Sequence, residues 1–86
     1  MKIRAVEYEI EFDDGSYYFL VECKQIDGEI LWKIMDRCQL ICLSRDLKFD
    51  FEPTNSSRTN KYLKNTRFKY EEAIDILLKF KAQDVH

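Results

Sequence analysis

Glycine, proline and histidine are scarce in this chain, and each scarcity excludes something. The two glycines, Gly15 and Gly28, each follow an aspartate and read as hairpin tips, which leaves none for a phosphate-cradling loop. The one histidine, His86, is the last residue, so Ser/His/Asp and Cys/His chemistry lack an anchored imidazole. No run of eighteen apolar residues exists, and no membrane partner is expected. The opening Met1-Lys2-Ile3-Arg4-Ala5-Val6-Glu7 meets acid at once and lacks the apolar block of a secretion signal. With only three cysteines, Cys23, Cys38 and Cys42, the sequence points to a reducing compartment, and a cytoplasmic location is expected. A formal charge of −2 offers no global attraction to nucleic acid or acidic lipid.

What is present is apolar and patterned. At 45% hydrophobic and 14% aromatic the chain is no disordered segment, and its 86 residues suit a single domain, 1–86. Val6, Tyr8, Ile10 and Phe12 alternate with Glu7, Glu9 and Glu11, as a strand with one dry and one wet face requires. Asp14-Gly15 and Asp27-Gly28 are hairpin signals. With two-residue tips there, Ile10 faces Phe19, Tyr8 faces Val21, Cys23 faces Trp32 and Val21 faces Ile34. The dry face then carries Tyr17, Phe19, Val21 and Cys23, while Tyr18, Leu20 and Glu22 are wet. A third hairpin at Arg45-Asp46 pairs Cys42 with Phe49, and Pro53 ends the last strand. Strands are expected at about 2–12, 16–25, 29–43 and 47–52, then a basic connection over 53–69. Tyr62 and Leu63 suggest a helical turn inside that connection. Ala73, Ile74, Leu77 and Leu78 have helical spacing, with Glu71 and Glu72 early and Lys79 and Lys81 late, so a helix is predicted over about 70–82. The expected fold class is α+β: a four-stranded antiparallel meander with one C-terminal α-helix packed across one face.

Catalysis finds little support in these residues. Glu7, Glu9 and Glu11 lie along the wet face of an outer strand, a poor place for a tuned acid and base, and no catalytic residue is assigned. Cys38 and Cys42 on one strand stand about 13 Å apart, too far to share a zinc ion, and no metal or other cofactor is expected. The three cysteines read as small buried hydrophobes. Asp36, the odd residue on the dry face, reads as the end of its row, either capping loop amides or reaching water, with a perturbed carboxylate in a pocket as the functional alternative.

Two surfaces remain. On the wet face Leu20 and Met35 stand opposite each other beside Tyr18 and Arg37, a patch of the kind that marks a protein interface or a homodimer contact. The alternative fate of this patch is to be covered by the 53–67 connection. The basic connection brings Arg58, Lys61, Lys64, Arg67 and Lys69 with no acid, and these residues suit phosphate contacts. The competing reading is internal pairing, because residues 1–52 carry twelve acids against seven bases and offer Glu7, Glu9 and Glu11 as counter-charges. The expected function is a small, non-catalytic protein-binding or self-associating module. The alternative is a nucleic-acid or phosphate-ligand accessory protein using 58–69. The ending Arg67-Phe68-Lys69-Tyr70-Glu71-Glu72 is generic to small α+β domains and names no family.

Overall fold

Among the described residues, alternation and the aspartate–glycine pairs do produce an antiparallel sheet, but one of five strands rather than four, followed by two helices rather than one. The computed structural model describes residues 1, 3–25 and 27–83; Lys2, the expected start of the first strand, and His86 lie outside them. The strands β1 (Glu7–Glu11), β2 (Tyr17–Lys24), β3 (Ile30–Met35), β4 (Ile41–Leu43) and β5 (Phe49–Phe51) lie side by side in chain order. A 3₁₀ turn at Asn55–Ser57 leads to α1 (Asn60–Thr66) and then α2 (Tyr70–Gln83).

The additional strand is made by Asp36. Its Oδ1 accepts from the amides of Leu40 (2.7 Å) and Ile41 (2.9 Å), and its Oδ2 from that of Cys38 (3.3 Å). These bonds, with Gln39 at φ 56°, reverse the chain and cut the expected strand 29–43 into β3 and β4, which pair at Met35 and Cys42. The additional helix, α1, is the helical turn of the basic connection extended to seven residues. Thr59 caps it by accepting from the Tyr62 amide at 3.1 Å.

The register also differs from expectation, and for one repeated reason. The β1–β2 turn closes between Phe12 and Ser16, with the Gly15 amide donating to the Phe12 carbonyl; the β2–β3 turn does the same between Gln25 and Glu29, with Gly28, and the β4–β5 turn between Ser44 and Lys48, with Leu47. In each, the residue before the closing pair has positive φ: 87° for Gly15, 88° for Gly28 and 63° for Leu47. These are longer reversals than the two-residue tips inferred from sequence. Each moves the pairing by one residue, so Tyr8 faces Leu20, Ile10 faces Tyr18, Leu20 faces Ile34 and Leu43 faces Phe49.

A one-residue shift turns a strand over. The first shift therefore inverts β2, and the second restores β3 to its expected side. The inner face carries Ile10, Tyr18, Leu20, Trp32 and Ile34, while Tyr17, Phe19, Val21 and Cys23 point the other way. Against the inner face α2 lays Ala73, Ile76 and Leu77, which close a core with Leu20, Ile34, Leu43 and Phe68. Each of the larger side chains contributes roughly 1.5–3 kcal/mol when fully buried. Lys81 fastens the far end of α2 to the first turn, donating to Asp14 Oδ2 and Ser16 Oγ, both at 2.9 Å.

The connection between the helices also enters the sheet. Because β4 is short, the edge of β3 around Trp32 is left for another segment. The Trp32 amide donates to the Phe68 carbonyl at 2.7 Å, and the Phe68 amide donates to the Trp32 carbonyl at 2.9 Å. Side chains on either side of an extended residue alternate. Phe68 consequently turns into the core beneath α2, and Arg67 turns to the opposite face of the sheet.

Candidate functional site

Arg67 arrives on that opposite face beside Glu52, the residue just past β5. Its Nη2 donates to Glu52 Oε1 at 2.6 Å, and its side chain is 3% exposed. Lys33, from the middle of β3, donates Nζ to Glu52 Oε2 at 2.9 Å. Arg58, just after the 3₁₀ turn, brings Nη2 to 3.6 Å from Oε2 while its Nε donates to the Pro53 carbonyl at 3.0 Å. Tyr62, on α1, donates its hydroxyl to Oε1 at 3.2 Å. One carboxylate, itself 12% exposed, thus holds three cations and a phenol drawn from four parts of the chain.

The protonation states follow from that crowding. Burial raises the pKa of Glu52, but hydrogen bonds from Lys33 and Arg67, with their charges, outweigh it and bring the group down to about 2. Burial, with Cys42 and Glu52 nearby, pushes the Tyr62 phenol up to about 12. Burial likewise pushes the Cys42 thiol up to about 11 and raises that of Cys23, despite the neighbouring Arg67 and Lys33. Both are neutral thiols at neutral pH, poorly suited to nucleophilic attack. Among the described residues, no three of His, Cys, Asp and Glu gather as a metal-binding set.

On the outer side of this cluster lies a cleft of about 550 Å³ whose lining, among the described residues, includes Lys24, Lys33, Arg58 and Arg67 and no acid. Around α1, two further surface clefts, of about 560 and 640 Å³, have Lys64 and Arg45 in their walls, joined by Lys61 and Asp46 in one and by Arg67, Lys69, Glu71 and Glu72 in the other. Arg45 is itself engaged, with Nη1 on Glu72 Oε2 at 2.8 Å, Nη2 on Oε1 at 3.1 Å and Nε on the Lys64 carbonyl at 2.8 Å.

The residues singled out from sequence are distributed unevenly. Arg58 and Arg67 come together at Glu52, whereas Lys61, Lys64 and Lys69 stay exposed on or beside α1. The internal counter-charge of the basic segment is Glu52; Glu7, Glu9 and Glu11 are exposed on the outer strand at the other edge of the sheet. Tyr18, Leu20, Met35 and Arg37 do not share a surface. Leu20 is 0% exposed beneath α2, and Met35, 5% exposed, is on the opposite face. Tyr18 stacks on Phe49 with ring centroids 5.8 Å apart, and Arg37 in the β3–β4 turn lies over the Tyr17 ring at 5.6 Å. The turned-over β2 is the cause of this dispersal.

Glu52 and Lys33 do not stand out in the sequence. The available signal is position: Glu52 is the last acid before seventeen residues, 53–69, that contain five cations and no acid. No family model, curated protein or solved structure matches the chain. No described helix is long and apolar enough to cross a membrane.

Proposed function

We propose that the protein is a small non-catalytic binding module whose working surface is the basic face around α1, and that its partner is a nucleic acid held through its phosphate backbone. The observation that carries this reading is the segregation of charge. Lys61, Lys64 and Lys69 are exposed together around surface clefts whose walls also hold Asp46, Glu71 and Glu72, while Glu7, Glu9 and Glu11 occupy the strand at the far edge of the sheet. Lysines so placed engage phosphates without reading sequence.

The test is a salt series with a labelled single strand and a labelled duplex, followed by fluorescence anisotropy. The expected result is an affinity that falls steeply with log salt. The slope should be shallower by about one in each of the Lys61→Gln and Lys64→Gln variants, because each removes one cation from the phosphate backbone. No binding at low salt, or variants that bind as the parent does, overturns the reading.

A second reading, docking to a protein or to another copy of the chain, is favoured by the same separation of charge. The acidic β1 edge of one molecule complements the basic face of another, a head-to-tail contact. Sedimentation velocity at low and high salt tests it: association that disappears as salt rises supports it, and a monomer at all salts removes self-association.

A further inference from the structure

The cleft beside Glu52 has more positive charge than its own carboxylate can balance. Lys33, Arg58 and Arg67 all lie within 3.6 Å of Glu52, leaving a surplus of two positive charges, and Lys24 adds another at the cleft. Like charges gathered on one carboxylate repel, the more strongly where burial lowers the effective dielectric. Arg67 cannot relieve this by swinging into water. Its amide donates to the Leu63 carbonyl at 2.9 Å, the next residue is pinned to Trp32, and its guanidinium also donates to Thr66 Oγ1 at 3.1 Å.

Donor capacity remains. Lys33 spends one of three ammonium hydrogens on Glu52, and Arg58 approaches Glu52 only at 3.6 Å, beyond hydrogen-bonding distance. The cleft, about 550 Å³, also includes Asn55 in its wall, whose side-chain amide is a further donor type.

From this convergence we propose that the cleft formed by Lys24, Lys33, Arg58 and Arg67 is a binding site for a phosphate dianion, either free phosphate or the head of a phosphate monoester. The dianion matches the surplus charge of the Glu52 cluster, and Arg58 supplies the planar fork that suits phosphate oxygens. Glu52 holds Lys33 and Arg67 in position, so the cations need no rearrangement to receive the anion. Lys61, Lys64 and Lys69 of the basic face do not line this cleft, although Arg67 also reaches the wall of one of the clefts around α1.

The test is a backbone amide NMR titration of the full chain at pH 7.5 with sodium phosphate and with O-phosphoserine, against serine and sodium chloride at matched ionic strength. Saturable shifts centred on Lys24, Lys33, Asn55 and Arg58 are expected with phosphate, phosphoserine or both, and the tighter ligand identifies a free-anion or a monoester site. Arg58→Gln and Lys24→Gln should each weaken binding about tenfold, and Lys79→Gln, on the exposed side of α2 away from both basic surfaces, should leave it unchanged. Should Arg58→Gln fail to fold, Lys24→Gln, on an exposed side chain, decides. Shifts that match those in chloride, or a weakening in Lys79→Gln equal to that in Lys24→Gln, overturn the proposal. The nucleic-acid test reads Lys61 and Lys64, neither of which lines this cleft, so failure there and failure here are read separately.

Discussion

Leu47 occupies in the β4–β5 turn the place that Gly15 occupies in the β1–β2 turn. Both carry positive φ, 63° and 87°, and both donate an amide hydrogen to the residue that opens the turn. For glycine this conformation is without steric penalty, whereas for leucine the Cβ is crowded. Leu47 tolerates it because its side chain packs against the core. Truncating the side chain separates the two effects. Leu47→Ala should destabilise by about 2 kcal/mol, and Leu47→Gly should be more stable than Leu47→Ala by about 1 kcal/mol, the reverse of the usual order. Urea titration of both variants checks this, and an alanine variant at least as stable as the glycine one contradicts the shared turn geometry.

Glu52 makes stability depend on pH in a defined direction. Its folded pKa, about 2, lies below its ordinary value of 4.5. The stabilisation is therefore complete above about pH 5 and is lost as pH falls toward 2, a loss of about 3 kcal/mol from this group. Glu52→Gln removes that part of the acid dependence and, by leaving the cations without a counter-charge, destabilises at pH 7 by about 3–5 kcal/mol. Denaturant unfolding at pH 7, 4 and 2.5 tests both statements. Equal acid sensitivity in parent and variant would rule out the carboxylate as the source.

The cysteines should differ in reactivity. Cys38 is exposed, Cys23 is half-buried, and Cys42 is buried with its thiol pushed up to about 11. A thiol reagent at pH 8 should therefore modify Cys38 first and Cys42 only on unfolding. Mass spectrometry of partially modified protein identifies the order. A fast phase that survives Cys38→Ser is incompatible with this arrangement.

Asp36 is the cap that makes β4 a separate strand. Its pKa is lowered because backbone amides of Ile41, Leu40 and Cys38 donate to the carboxylate, which outweighs its desolvation. Asp36→Ala should cost about 1–2 kcal/mol, and Asp36→Asn less, since the amide oxygen still accepts. Hydrogen exchange at Leu40 and Ile41 should accelerate in the alanine variant; unaltered exchange there would count against the cap.

Much of this architecture is legible in the pattern of residues, and its gaps have physical causes. Alternation in Glu7–Glu11 and helical spacing from Tyr70 locate β1 and α2. Aspartate–glycine locates two reversals but does not set their length, because a positive-φ glycine serves both short and longer turns. Hydrophobicity does not resolve the choice in β2, where Tyr17, Phe19, Val21 and Cys23 are as apolar as Tyr18 and Leu20. The face of β3 nevertheless comes out as expected, since two successive shifts of one residue cancel. At the site, Arg58 and Arg67 stand out by their charge. Glu52 does not, because its role is created by the Trp32–Phe68 pairing, which joins residues far apart in sequence.

That pairing has a bearing on how the molecule is made. A nascent chain that has emerged only as far as α1 has its hairpins but nothing beside Trp32, so an adhesive flank with unmet amide and carbonyl groups faces its neighbours. Phe68 and the helix behind it close that flank and supply the rest of the interior. Until that segment is in place, the Trp32 edge is an opening for pairing with other chains, one the finished fold closes.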